Sequence, residues 1–107
     1  MSLANVAKTF TLADTIPHQL TALIKAAYPT TADFMLYCKV TILAASTNGV
    51  NNLVVGAADV AANNGIVLGA GQSYTFGDGA VNDVPLVNFW VVATAQPLSF
   101  TVNAYEM

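Results

Sequence analysis

The chain has 107 residues, of which 55% are hydrophobic and 8% charged, with a net charge of −3. That length points to one domain spanning residues 1–107; the three scattered lysines and the lack of arginine leave no basic footprint for nucleic acid, and no apolar run approaches the about 20 residues of a membrane-spanning helix. A soluble domain ordinarily carries about 25% charged residues, so Ala, Thr, Ser, Asn and Gly cover this surface, a composition suited to contact with other subunits because interface centres are depleted of Lys, Glu and Asp.

The first five residues, Met1-Ser-Leu-Ala-Asn5, have no basic stretch followed by an apolar one, so they are not a secretory signal. They read as a candidate N-terminal arm. From Ala4 to Ala13 the residues alternate: Val6, Lys8, Phe10 and Leu12 share one face, and Ala7, Thr9, Thr11 and Ala13 the other. Period two with β-branched residues predicts a strand, and Lys8 on the apolar face marks it as an edge. Thr15 and Pro17 then suit a helix start, and Leu20, Leu23, Ile24 and Ala27 recur at helical spacing. The spacing predicts a helix over Pro17–Ala27, ended at Tyr28 by Pro29, with a loop continuing to Asp33. Residues 17–33 thus read as an insertion of helix and loop.

Phe34–Ser46 is the longest strand expectation. Asn48-Gly49 provides turn chemistry, and Leu53–Gly56 resumes as a strand, so the two segments are expected to form a β-hairpin. Short strands are expected again at Ile66–Leu68 and Ser73–Phe76. Val84–Thr94 reads as one near-continuous apolar strand, buried on both faces or placed at a subunit contact. Leu98–Tyr105 alternates to the end. About seven short strands separated by Gly/Asn turns predict an all-β fold, an antiparallel, jelly-roll-like sandwich with one short helix near the N-terminus.

Each candidate chemical centre is weak. His18 is the sole histidine, and Asp14 is near it in sequence, but no nucleophile motif accompanies them. Cys38 stands alone in a strand-like run and reads as a small buried hydrophobe. Asp78, Asn82 and Asp83 share a Gly-rich loop without the spacing or terminal Glu of a calcium loop. Gly65, Gly69 and Gly71 have neither the lysine nor the following helix of a phosphate loop and read as turn residues. The expectation is no enzyme, no cofactor and no metal site. Phe89 and Trp90, adjacent on a strand, must point to opposite faces. One can fill the core while the other anchors an interface, or both can be buried within the monomer. Tyr28, Tyr74 and Tyr105 are further interface candidates.

The order of segments from Tyr37 onward resembles small bacteriophage virion proteins of β-sandwich or jelly-roll type. The pieces that carry the resemblance are Val40-Thr-Ile-Leu43, Asn48-Gly49, Leu53-Val-Val-Gly56, Asp59-Val60, Gly65-Ile-Val-Leu-Gly69, Gly71-Gln-Ser-Tyr-Thr-Phe76, Leu86-Val-Asn-Phe-Trp-Val-Val92 and Leu98-Ser-Phe-Thr-Val-Asn-Ala-Tyr105. It covers about two-thirds of the chain and is an order of segments, not a sharp motif. It implies a capsid decoration (cement) protein of the phage head: a homo-oligomer, expected as a trimer, assembled in the host cytoplasm and bound across major capsid proteins. A tail or fibre module that recognises a host glycan through Trp90 or Tyr74 is the alternative.

Overall fold

The computed structural model describes residues 6–28, 36–79, 81 and 84–105. Where apolar and hydroxyl residues alternate, the chain forms strands: β1 (Val6–Leu12), β4 (Lys39–Ala44) and β10 (Leu98–Tyr105). In β10 the burial follows the alternation, with Leu98, Phe100, Val102 and Ala104 fully buried between more exposed neighbours. Between them lie β2 (His18–Gln19), β3 (Leu36–Tyr37), β5 (Leu53–Gly56), β6 (Ile66–Leu68), β7 (Ser73–Phe76), β8 (Val84–Pro85) and β9 (Trp90–Ala93).

The pairings are nested. β1 pairs with β10, β2 with β9, β3 with β8, β4 with β7 and β5 with β6, all antiparallel. The chain is therefore one long hairpin, rolled up so that β10 also meets β4 and β9 also meets β5. Rolling gives two four-stranded sheets, β1-β10-β4-β7 and β2-β9-β5-β6, plus the two-stranded β3-β8. This is an all-β antiparallel sandwich with jelly-roll strand order. The core fills the space between the sheets. Val40, Ile42, Phe100 and Val102 meet Leu53, Val55, Leu68 and Val91 there, and Leu20, Ile24, Tyr37 and Leu86 join the same cluster. Each such buried side chain contributes about 1.5–3 kcal/mol.

Four local expectations change. The helix α1 is Leu20–Ala27, three residues shorter at its start than the spacing suggested. His18 and Gln19 are instead extended, because they complete the ladder against Val91 and Trp90 and the Leu20 N–H donates to the Phe89 carbonyl at 2.9 Å. Eight residues do not sustain a helix alone; burial of Leu20 and Ile24 holds it, and it ends at Tyr28 as expected. The long strand is broken at Cys38: Leu36–Tyr37 pairs with Val84–Pro85, and Lys39–Ala44 joins the large sheet. Phe34 and Met35 lie outside the described residues, as do the candidate arm 1–5 and most of the loop after the helix, 29–33.

The expected hairpin of β4 with β5 does not form. β4 is already paired on both sides, by β10 and β7, so the chain crosses from one sheet to the other. The Asn-rich crossing works through side-chain amides. The Asn48 amide donates to the Ser99 carbonyl at 2.8 Å and accepts from the Ser99 N–H at 2.9 Å, while Asn51 donates to the Pro97 carbonyl at 2.9 Å. The apolar run 84–94 is likewise two short strands around a 3₁₀ turn, Leu86–Asn88. Pro85 lacks the N–H needed to extend a ladder.

Candidate interaction surface

The outer face of the β1-β10-β4-β7 sheet explains how a surface so poor in charge stays polar. Thr9 and Thr101 are opposite each other with hydroxyls 2.8 Å apart, Thr11 and Ser99 at 2.9 Å, and Thr41 and Thr75 at 3.0 Å. These hydroxyl pairs run across the sheet, with Lys39 and Tyr105 opposite each other at the β4–β10 end. The outer face of the second sheet is covered from within at its centre, while Val67 at its β6 edge stays exposed. Residues 57–65 arch over it, and Val60 packs on Val54 and Val92 in a separate small cluster.

The aromatic candidates divide along these surfaces. Trp90 is half-buried against the small cluster under the arch, while Phe89 packs on the main core. Both adjacent rings are therefore partly buried, on opposite faces of the chain. Tyr28 is at the helix C-terminus, its N–H bonded to the Ile24 carbonyl at 2.8 Å. Tyr105 closes β10 on the outer face and is 46% exposed. Neither is in the row that the remaining two candidates form. Tyr74 and Phe89 are linked by Phe76, whose ring lies tilted against both, 4.8 Å from Tyr74 and 4.4 Å from Phe89. Phe76 was missed as a site residue, although alternation within Ser73–Phe76 already put it on the same face as Tyr74.

This row lies where the sandwich is open. β6 and β7 are the end strands of their two sheets, and each has one strand neighbour among the described residues. A cleft of about 290 Å³ opens beside them, lined by Val55, Ile66, Phe76 and Phe89 and by the backbone of Gly56 and Gly65. Asn88 is the one polar residue among those that line it. An unpaired edge offers main-chain donors and acceptors to another strand. β1 carries Lys8, a charge that discourages such pairing; β7 carries no charge and leaves Tyr74 41% exposed. A second hollow, about 460 Å³, lies across the arch between Thr15, Pro17, Val60 and Thr94. It is larger and more polar and has no aromatic lining.

Of the chemical candidates, the structure joins His18 and Asp14. His18 Nε2 lies 2.7 Å from Asp14 Oδ1. The bond from His18 holds the Asp14 carboxyl below its usual range, helped by the Ile16 N–H at 3.3 Å. The pair ties the segment after β1 to β2. No group of three or more His, Cys, Asp or Glu is placed to hold a metal among the described residues. Asn82 and Asp83 of the candidate oxygen-rich loop lie outside those residues. Cys38 is buried, with its thiol donating to the Tyr105 carbonyl at 3.2 Å. No helix of the described residues is long and apolar enough to cross a membrane. No family model matches the sequence, and no match was found among curated proteins or solved structures.

Proposed function

We propose that the chain is a structural protein of a virus particle, a capsid decoration protein. It packs through its β6–β7 rim against major capsid proteins and against copies of itself in a trimer. The observation that carries this reading is the rim: an uncharged apolar cleft, an aromatic row and two unpaired sheet edges side by side. Jelly rolls serve in viral capsids and in lectins alike, so the fold alone does not choose between them. The lining of the rim favours protein. Sugar recognition uses converging polar groups around a ring platform, whereas this cleft presents aliphatic and aromatic carbon with one amide. Trp90, the ring best suited to a glycan platform, is partly buried under the arch.

The proposed action is adhesion. A chain that binds the assembled shell and not its free subunits stabilises the shell by mass action, and repeated weak contacts gain from valency. The home of the protein in this reading is the phage head, assembled in the host cytoplasm. The test combines sedimentation of the purified chain alone with co-sedimentation on shells of the major capsid protein encoded beside it. The chain is expected to be trimeric and to pellet with shells. Tyr74→Ala, at a partly exposed ring, should weaken pelleting about tenfold or more, the equivalent of one lost aromatic contact. A micromolar monomer that ignores shells, or one that binds a specific sugar instead, would overturn the proposal and favour a tail or fibre module.

A further inference from the structure

We infer that Asn64 is a site of spontaneous covalent modification, converting to aspartate and isoaspartate in the folded protein, and that this conversion unfastens the arch over the second sheet. The sequence contains Asn-Gly twice, at Asn48-Gly49 and Asn64-Gly65. In such a pair the glycine main-chain nitrogen, unshielded by a Cβ, can lose its proton to solvent base and attack the asparagine Cγ. The new N–Cγ bond forms as the Cγ–Nδ2 bond breaks and ammonia leaves. Water then opens the cyclic imide at either carbonyl, giving the two acids.

The fold treats the two pairs differently. Asn48 is 8% exposed and its amide makes two bonds to the Ser99 backbone. Asn64 is exposed, and its amide makes one bond, Nδ2 donating to the Asp59 main-chain oxygen at 3.0 Å. Attack at Asn48 must break two bonds and leave a buried site; attack at Asn64 must break one at the surface. Folded-state conversion at Asn64 is therefore expected to be at least about tenfold faster.

The structure also shows why glycine follows Asn64. Gly65 has φ +146, and a Cβ there would come within 2.7 Å of both Val54 Cγ1 and the Val55 oxygen. The close packing of the arch on β5 thus installs the unshielded nitrogen.

Conversion has a defined consequence. It replaces the donor facing the Asp59 carbonyl with a carboxylate acceptor and adds a charge beside Asp59. Isoaspartate further lengthens the backbone where Ala61 and Asn64 bond each other's main chain at 3.0 and 3.2 Å. The arch that seats Val60 on Val54 and Val92 loses its clasp, while the main core is untouched.

The test is to incubate the full folded chain in mildly alkaline buffer and quantify the acid form of each peptide by mass spectrometry, with a denaturant-unfolded sample alongside. In the folded chain the peptide containing Asn64 should convert at least about tenfold faster than the one containing Asn48. In the unfolded chain the two should converge. Equal folded-state rates, or a folded chain in which Asn64 does not convert, would overturn the assignment. Asn64→Gln, which keeps the donor but closes a less favourable ring, should fold normally and abolish the product at this peptide; persistence of the product refutes the mechanism. In Asn64→Asp, hydrogen exchange should accelerate at the Val60 and Ala61 amides and stay unchanged in β10. Unchanged protection of the arch would overturn the unfastening.

Discussion

Gly77 follows Phe76 of the rim directly, and replacing it tests how tightly that rim is held. Its φ is +84, and an added Cβ would lie 2.3 Å from the Cys38 carbonyl oxygen and 2.7 Å from Val84 Cγ2. Gly79 offers an internal comparison: its φ is +83, yet nothing lies within 4 Å of an added Cβ. Both substitutions to Ala incur the left-handed backbone cost of about 1–2 kcal/mol. Only Gly77→Ala must also push the Cys38 carbonyl and Val84 apart, a further cost of about 1–3 kcal/mol. It also disturbs the bond that this same carbonyl accepts from the Gly79 N–H at 3.0 Å, worth about 1 kcal/mol. Gly77→Ala should therefore destabilise by about 4 kcal/mol and Gly79→Ala by about 1 kcal/mol. Urea unfolding followed by fluorescence reads both, with equal slopes licensing a comparison of midpoints. If the two variants lose the same stability, the close approach of the 77–79 loop to Cys38 is not what demands glycine, and the reasoning fails.

Two further outcomes follow from the polar ties. Asn48→Ala leaves the Ser99 N–H without its acceptor in a mostly buried site and removes one of two donors to the Ser99 carbonyl, which keeps the Ala45 N–H at 3.0 Å, so unfolding free energy should fall by about 2 kcal/mol; a loss near zero in the same urea assay would mean that water replaces the amide at no cost. Asp14 has its folded carboxyl value depressed by His18, so its contribution is present above the unfolded value of 3.8 and disappears as pH falls through the lower folded value. Wild-type stability should thus decline more steeply below that point than stability of Asp14→Asn, and superimposable acid profiles in thermal melts would dismiss the His18–Asp14 tie.

The fold was legible where a strand has one wet face and one dry face. β10 alternates cleanly because it exposes polar groups and buries carbon, β1 alternates in sequence but leaves Lys8 of its apolar face exposed, and the limits of both could be read to within two residues at either end. Legibility failed where tertiary pairing overrode local preference. His18 and Gln19 look helical beside Leu20 and Ile24, but the backbone of β9 needs a partner, and the nested ladder takes them. Asn48-Gly49 looks like a hairpin turn, but the two strands beside it belong to different sheets. No local signal separates a tight turn from a crossing pinned by Asn48 and Asn51, because the same residue types serve both. The aromatic row was half legible: Tyr74 and Phe89 were singled out, and only the rolled topology sets Phe76 between them.

The low charge takes on a narrower meaning in the folded chain. Read from composition, it suggests a surface covered widely by other subunits. The structure accounts for much of it without any partner. On one outer face, Thr9, Thr11, Thr41, Thr75, Ser99 and Thr101 pair their hydroxyls across strands, and each retains further hydrogen-bonding capacity for water. On the other, Val54 and Val92 are dry because the arch lies on them. Each face keeps an exposed apolar side chain that these arrangements do not cover, Leu43 on the first and Val67 on the second. Single apolar side chains such as Val50 and Ile16 are exposed elsewhere, but on the β6–β7 side an exposed Tyr74 at an uncharged edge adjoins a cleft lined with carbon beside Phe76 and Phe89. There the burial of apolar area is unfinished, and a contacting chain would gain by covering it. Attachment by one small rim, and not by a broad coat, is also the geometry in which repeating the contact over several copies contributes more than enlarging it.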